Sequence, residues 1–101
     1  VKKINLDAYK FDHKIGFIKI DAEGHELDII NGAQRLISEN KPNLLVEIEE
    51  RHTGIPNIEV INEIKKLGYN CFSLNDQFKL DLINSNNIKK IMNNNFIFIS
   101  I

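Results

Sequence analysis

The sequence predicts an α/β fold, in which helices cover a β-sheet. Three apolar segments rich in β-branched and aromatic residues are typical of strands: Gly16–Asp21, residues 43–49 and Tyr69–Leu74. Between them lie two segments in which apolar residues recur every three or four positions, which is the period of an amphipathic helix. Alternation of strands and helices favours a sheet whose strands are joined by right-handed crossovers.

Composition bounds the class of protein. The chain has 101 residues, of which 43% are hydrophobic and 27% charged, so we expect a single domain over residues 1–101. A net charge of −1 argues against a dedicated nucleic-acid binder. No apolar run reaches the roughly 18 residues of a membrane span. Cys71, the single cysteine, excludes an internal disulfide and a multi-thiolate metal site, and it is typical of a reducing, cytoplasmic setting.

The first helix is predicted to run from His25 to about Asn40. Leu27, Ile30 and Ile37 form its apolar stripe, and the turn Ala22-Glu23-Gly24 separates it from the preceding strand. Pro42 ends it, because a proline disfavours the α conformation in the residue before it. Residues 1–9 are predicted to form a short strand ahead of this unit.

The second helix is predicted to begin after Asn57, a good N-cap residue, and to end at Gly68, which suits a left-handed C-terminal residue. Beyond the Tyr69–Leu74 strand, apolar residues alternate with charged ones from Phe78 to Leu82, which predicts a half-exposed strand or hairpin arm. A short helix over Asn87–Met92 and a final strand over Phe96–Ile101 complete the prediction.

Two charged residues interrupt the apolar strands. Lys19 lies within the first and Glu47 within the second, although a strand buried on both faces is nearly all apolar. If the two strands are neighbours, Lys19 and Glu47 can form an ion pair, since charged residues are seldom buried unpaired. The alternative is that both side chains extend to a sheet edge.

The turn after the first strand concentrates polar groups. Asp21, Glu23, His25 and Glu26 lie within six residues, and ligands of open α/β sheets bind at the carboxyl ends of parallel strands. A carboxylate beside an imidazole can perform general acid–base catalysis, and the same groups can bind a divalent cation. Asp21 or Glu23 can also simply cap the helix. The residues alone leave these alternatives open.

A second charged loop, Glu49-Glu50-Arg51-His52, follows the next strand. It is either a solvated charge run or a loop that faces a ligand. The histidines at 13, 25 and 52 lack metal-ligand spacing. Cys71 lies among apolar residues and is predicted to be a small buried hydrophobe.

One longer motif points to a family. Ile18–Ala33, IKIDAEGHELDIINGA, resembles the signature of the FkbM-type methyltransferases. Four further landmarks of that family occur in the expected order: Leu6-Asp7, Pro42–Ile48, Leu67-Gly68-Tyr69 and Asn95–Ile99.

The resemblance implies a Rossmann-like, S-adenosylmethionine-dependent methyltransferase that methylates an oxygen of a sugar or a secondary metabolite. It implies strands four to seven of that sheet with two to three helices, mostly parallel, with an antiparallel last strand between strands five and six. The family binds its methyl donor chiefly on strands one to three, and the chain lacks a glycine-rich phosphate loop. We therefore expect a C-terminal part of the domain, a truncated chain in which the site for the methyl donor is incomplete.

The resemblance also assigns roles to residues. Asp21 and His25 are the expected catalytic residues, and Asp21 and Glu23 are expected to contact the methyl donor. Lys19, Glu47, Glu49 and His52 are expected to bind substrate or to be structural. Metal-free transfer to a small-molecule acceptor is the default, and a cation held by Asp21, Glu23 and His25 is a weaker alternative.

A different class of function remains open. Without strands one to three, the first core strand would be an exposed sheet edge, and such an edge can pair with another chain. The alternative to an enzyme is therefore a non-catalytic interaction module that forms a homodimer through this edge.

Overall fold

The computed structural model describes Leu6 and residues 13–101, so the strand predicted over residues 1–9 falls outside the described part apart from Leu6. Leu6 itself is partly buried and packs against the hydrophobic core. The described elements are β1 (Phe17–Ile20), α1 (Glu26–Asn31), α2 (Gln34–Asn40), β2 (Asn43–Glu47), α3 (Glu50–Thr53), α4 (Asn57–Lys65), β3 (Tyr69–Leu74), β4 (Leu80–Leu82), a 3₁₀ turn (Ile88–Lys90) and β5 (Asn95–Ser100). The α/β class is confirmed.

The five strands form one sheet in the order β1-β2-β5-β3-β4. The antiparallel last strand, β5, lies between β2 and β3, as expected from the resemblance. The expectation of a mostly parallel sheet is wrong, because only β1 and β2 pair in parallel. The β3–β4 pair is an antiparallel hairpin, and β5 is antiparallel to both of its neighbours. The segment before β5 contains only a 3₁₀ turn, whereas a parallel connection needs a longer crossover that is usually helical.

The helix predicted from His25 to Asn40 is divided into two. α1 ends at Gly32, whose amide donates to the Asp28 carbonyl at 3.0 Å, and α2 begins after Ala33. Ala33 has φ −123°, outside the helical range, and its side chain is fully buried. Glycine weakens a helix through its backbone freedom, so the chain bends at this small-residue step and α2 takes its own direction against the core.

Two local predictions after β2 are wrong. The expected loop contains α3, a single helical turn that ends at Gly54 with a left-handed φ of 78°. Asn57 is the first residue of α4 and not its N-cap, a position taken by Pro56. The Asn57 side-chain amide instead donates to the Ile48 carbonyl at 3.3 Å, and this bond ties the start of α4 to the end of the β2 segment.

The core lies on one face of the sheet. Burial alternates along β2, β3 and β5, so among the described residues one side of each strand is fully buried and the other is partly buried or exposed. Helices α1, α2 and α4 supply the opposing apolar residues. The fully buried members are Leu44, Val46, Tyr69, Cys71, Phe96 and Phe98 of the sheet and Ile30, Ile37, Val60, Ile61 and Ile64 of the helices. The polar residues Asp21 and Glu47 lie at the carboxyl ends of β1 and β2, at the rim of the sheet.

Candidate functional site

The centre of the site is a pair of carboxylates at the ends of two adjacent strands. The parallel register places Ile20 opposite Val46, so the next residues, Asp21 and Glu47, lie side by side. The negative charge of Asp21 is the main cause that raises the pKa of Glu47, followed by loss of hydration and a hydrogen bond with Asp21. Glu47 is therefore protonated more easily than an isolated glutamate.

The ion pair predicted between Lys19 and Glu47 does not form. In the parallel register Lys19 lies opposite Leu45, and its side chain is exposed. The ion pairs within 4.0 Å among the described residues do not include Lys19. The residue opposite Lys19 lies two positions before Glu47, so the two charges are offset along the strands. The sequence alone does not determine the register between the two strands.

Glu26 builds the turn that carries Asp21. Its carboxylate is 1% exposed, and its Oε2 accepts the amides of Ala22 and Gly24 at 3.1 Å each. The turn needs this support because Glu23 and Gly24 both have positive φ, 47° and 102°. The Glu26 carboxylate thus satisfies two amides of the turn ahead of the helix, those of Ala22 and Gly24.

Of the alternatives left open for Asp21 and Glu23, a side-chain cap of the first helix does not form. His25 occupies the N-cap position, and no side-chain hydrogen bond caps α1. The helix predicted from His25 includes Glu26 near its start, but the sequence did not indicate the bonds of Glu26 to the preceding turn. A glutamate two residues after a glycine at a strand-to-helix junction was the available signal.

The second loop is organised by Glu49. Arg51 Nε donates to Glu49 Oε2 at 2.7 Å, and Asn94 Nδ2 donates to Oε1 at 3.0 Å. His52 Nδ1 lies 3.4 Å from the same carboxylate. The hydrogen bond from Arg51 is the main cause that lowers the pKa of Glu49. Glu49 therefore keeps its charge and holds the loop against the segment that leads into β5.

The two loops enclose a small open cleft of about 100 Å³. Its lining comprises Asp21, Glu23, Gly24, Glu26, Glu47, Glu49, Arg51 and His52. The fold thus brings together five of the seven predicted site residues: Asp21, Glu23, Glu47, Glu49 and His52. Arg51 joins them as the cationic group of the lining, although sequence reasoning had treated it only as part of a charge run.

His25 and Lys19 are the predicted site residues that do not line the cleft. His25 Nδ1 lies 3.3 Å from Asp28 Oδ2 on the exposed start of α1. The histidine that reaches the cleft is His52. A single turn of chain separates His25 from Asp21, but that turn directs the two side chains to different surroundings.

Cys71 takes no part in the site. It is fully buried in β3, and burial raises its thiol pKa to about 12. A thiol with so high a pKa is a poor nucleophile at neutral pH, so the prediction of a buried hydrophobe is confirmed.

Within the described part of the chain, no group of three or more His, Cys, Asp or Glu side chains is arranged to hold a metal ion. Among the described residues, no helix is long and apolar enough to cross a membrane.

Comparison with known proteins agrees with the motif. No curated protein and no solved structure matches the chain. The family model of the methyltransferase FkbM domain matches residues 1–71, which include β1, α1, α2, β2 and both loops of the cleft. The chain therefore belongs to the FkbM methyltransferase family.

Proposed function

We propose that the chain contributes to an S-adenosylmethionine-dependent methyl transfer to an oxygen of a small-molecule acceptor, such as a sugar or a secondary metabolite. Family membership supports the reaction class. The observation that carries the site is the Asp21–Glu47 pair at the carboxyl ends of two parallel strands, where open α/β sheets bind ligands. In this proposal the described sheet is one side of a Rossmann-like domain in the cytoplasm.

The charge of the cleft suits the methyl donor. S-adenosylmethionine, when bound, supplies a methyl group on a positively charged sulfonium, and five carboxylates face the cleft against one arginine. Asp21 and Glu23 are the residues proposed to contact it. A volume of about 100 Å³ is below the roughly 300–1,000 Å³ of typical ligand pockets, so the cleft accommodates only part of a donor or an acceptor.

Glu47 is the proposed base. An acceptor hydroxyl that attacks a methyl group must lose its proton, and a nearby carboxylate can take it. A raised pKa makes Glu47 a stronger base than an ordinary glutamate. Asp21 contributes by its charge, which favours the protonated product form of Glu47. The proton of the acceptor therefore ends on the Asp21–Glu47 pair.

His52 and His25 are the two candidates for a second proton acceptor. His52 lines the cleft, whereas the expected catalytic His25 lies beside Asp28. We propose that His52 rather than His25 contacts the acceptor. Replacement of each histidine by alanine separates them: His52→Ala should reduce methyl transfer, and His25→Ala should not.

Calorimetric titration of S-adenosylhomocysteine into the chain tests the proposal. We expect binding that Asp21→Asn weakens about tenfold, equivalent to about 1.4 kcal/mol. Asp28→Asn is the matched control, since this carboxylate lies outside the cleft lining. Absence of binding at millimolar ligand, or equal loss in both variants, would contradict a donor site at this cleft.

A second candidate function is pairing through the sheet edge. Among the described strands, β1 lies at the end of the order, and Phe17 on it is 60% exposed. A sheet edge with an exposed aromatic residue can add a strand from a second copy. A mass near twice 11.7 kDa that falls to the monomer value in Phe17→Lys would support this homodimer. Leu82→Lys, on the opposite edge strand, is the control, and dimer loss there instead would place the interface at β4.

A further inference from the structure

The two loops that form the cleft touch through their backbones. Gly24 lies in the turn after β1, and His52 lies in α3 after β2. A Cβ atom on Gly24 would lie 2.5 Å from the carbonyl oxygen of His52 and 3.0 Å from its carbonyl carbon. These are main-chain atoms, so no side-chain rotation can relieve the overlap. Only glycine permits this approach at position 24.

Each loop is firmly built on its own side of the contact. The Glu26 carboxylate holds the amides of Ala22 and Gly24. On the other side, the Glu49 carbonyl accepts the amide of His52 at 3.0 Å, within the helical turn of α3. A displacement of Gly24 relative to His52 is therefore transmitted to the segments that carry the two facing acids.

We propose that the Gly24–His52 backbone contact sets the width of the cleft and keeps Asp21 against Glu47, which makes Gly24 a positioning residue. The role of Gly24 in methyl transfer rests on the function proposed above. Its role in the geometry of the cleft does not depend on that function. Misplacement of reacting groups by on the order of 1 Å can cost on the order of 100-fold in rate, so a contact at this distance can control activity.

The chain offers a matched control for Gly24. Gly54, at the end of α3, also has a positive φ, 78°, but a Cβ there would meet nothing within 4 Å. Alanine at either position incurs the cost of a left-handed backbone. Only Gly24→Ala adds the collision with His52. The difference between the two variants therefore isolates the contact from the general strain.

The experiment is a side-chain NMR titration of Glu47 in the parent chain and in both variants. The carboxylates whose charges raise the pKa of Glu47 are Asp21 after β1, Glu49 in the second loop and Glu26 at the start of α1. The other titratable or charged groups in the lining of the same cleft are Glu23, Arg51 and His52. We expect Gly24→Ala to move the Glu47 pKa downward toward the ordinary range, because Asp21 moves away. We expect Gly54→Ala to leave it where the parent has it. An unchanged Glu47 titration in Gly24→Ala, or the same shift in both variants, would overturn the proposal.

A second variant covers the case in which Gly24→Ala does not fold. D-alanine, introduced at position 24 by chemical ligation, suits a positive φ and places its methyl group at the other hydrogen position of the Cα atom. We expect this protein to fold and to retain the Glu47 titration of the parent. If D-alanine also prevents folding while Gly54→Ala folds, the restriction at position 24 is not the contact with His52, and the proposal fails.

The titration also separates this proposal from the proposed function, since it requires no methyl donor. A Glu47 shift specific to Gly24→Ala in a chain that binds no S-adenosylhomocysteine would support the cleft geometry and count against the donor site. If Gly24→Ala and Gly54→Ala bind the donor equally and neither shows a specific shift of the Glu47 pKa, the donor site is supported and the proposal about cleft geometry is contradicted.

Discussion

Asp21 and Glu47 are neighbours across two parallel strands, and each is the first position beyond the last buried pair of those strands, Ile20 and Val46. The sheet register holds two like charges together at the rim of the core. The negative charge of Asp21, followed by loss of hydration and a hydrogen bond between the two side chains, raises the pKa of Glu47. Such an arrangement lowers stability at neutral pH, and perturbed acids of this kind concentrate at functional sites.

Glu47→Gln should stabilise the chain at neutral pH. The pKa of Glu47 is raised in the folded chain, so Glu47 contributes stability fully only below its unfolded pKa, and that stability is lost as the pH rises through the folded pKa. Glutamine removes the repulsion with Asp21, so the melting temperature of the variant should exceed that of the parent at pH 7. The difference between the two melting temperatures should disappear at acid pH. Glu39→Gln, at an exposed site on α2, is the control, and an equal rise there would contradict the explanation.

Glu49→Gln should have the opposite effect and destabilise the chain at neutral pH. The pKa of Glu49 is lowered by its hydrogen bond with Arg51, so its contribution is present above the unfolded pKa and is lost as the pH falls through the folded pKa. We expect a lower melting temperature at pH 7 and none of this difference near pH 2. Thermal unfolding monitored by circular dichroism across this pH range measures it. A pH-independent loss would indicate a packing defect in place of a lost charge interaction.

Glu26→Ala should be the most damaging carboxylate substitution in the site. It leaves the amides of Ala22 and Gly24 without their acceptor in a buried position, at a cost of about 3 kcal/mol. Glu26→Gln retains one side-chain oxygen, which can take the place of the Oε2 atom that accepts both amides, so we expect a loss of about 1 kcal/mol. Urea unfolding of both variants measures these values. Equal losses would show that the carboxylate charge matters more than the hydrogen bonds.

Tyr69→Phe should lower the free energy of unfolding by about 1–2 kcal/mol. The buried hydroxyl of Tyr69 donates to the Pro42 carbonyl at 2.6 Å and so links β3 to the segment before β2. Phenylalanine keeps the packing but leaves that carbonyl unpaired. Urea unfolding should show the loss with an unchanged dependence on denaturant concentration. A loss below 0.5 kcal/mol would mean that water replaces the hydroxyl at Pro42.

The cleft could be located from sequence in outline but not in contact detail. Asp21, Glu47 and His52 were placed near strand ends by the pattern of apolar segments, and the structure brings them together. The partner of Glu47 was misassigned to Lys19, because a pairing between strands depends on register. The role of Glu26 was missed since it depends on the positive φ values of the preceding turn.

Apolar periodicity by itself determined the α/β class, the approximate positions of β1, β2, β3 and β5, and the apolar stripe of α4, because burial of one face requires that pattern of side chains. Tertiary structure decided which polar groups meet. The Asp21–Glu47 pairing and the approach of Gly24 to His52 both join residues distant in sequence. Contacts of this kind depend on register and on main-chain conformation, which no local pattern of residues specifies.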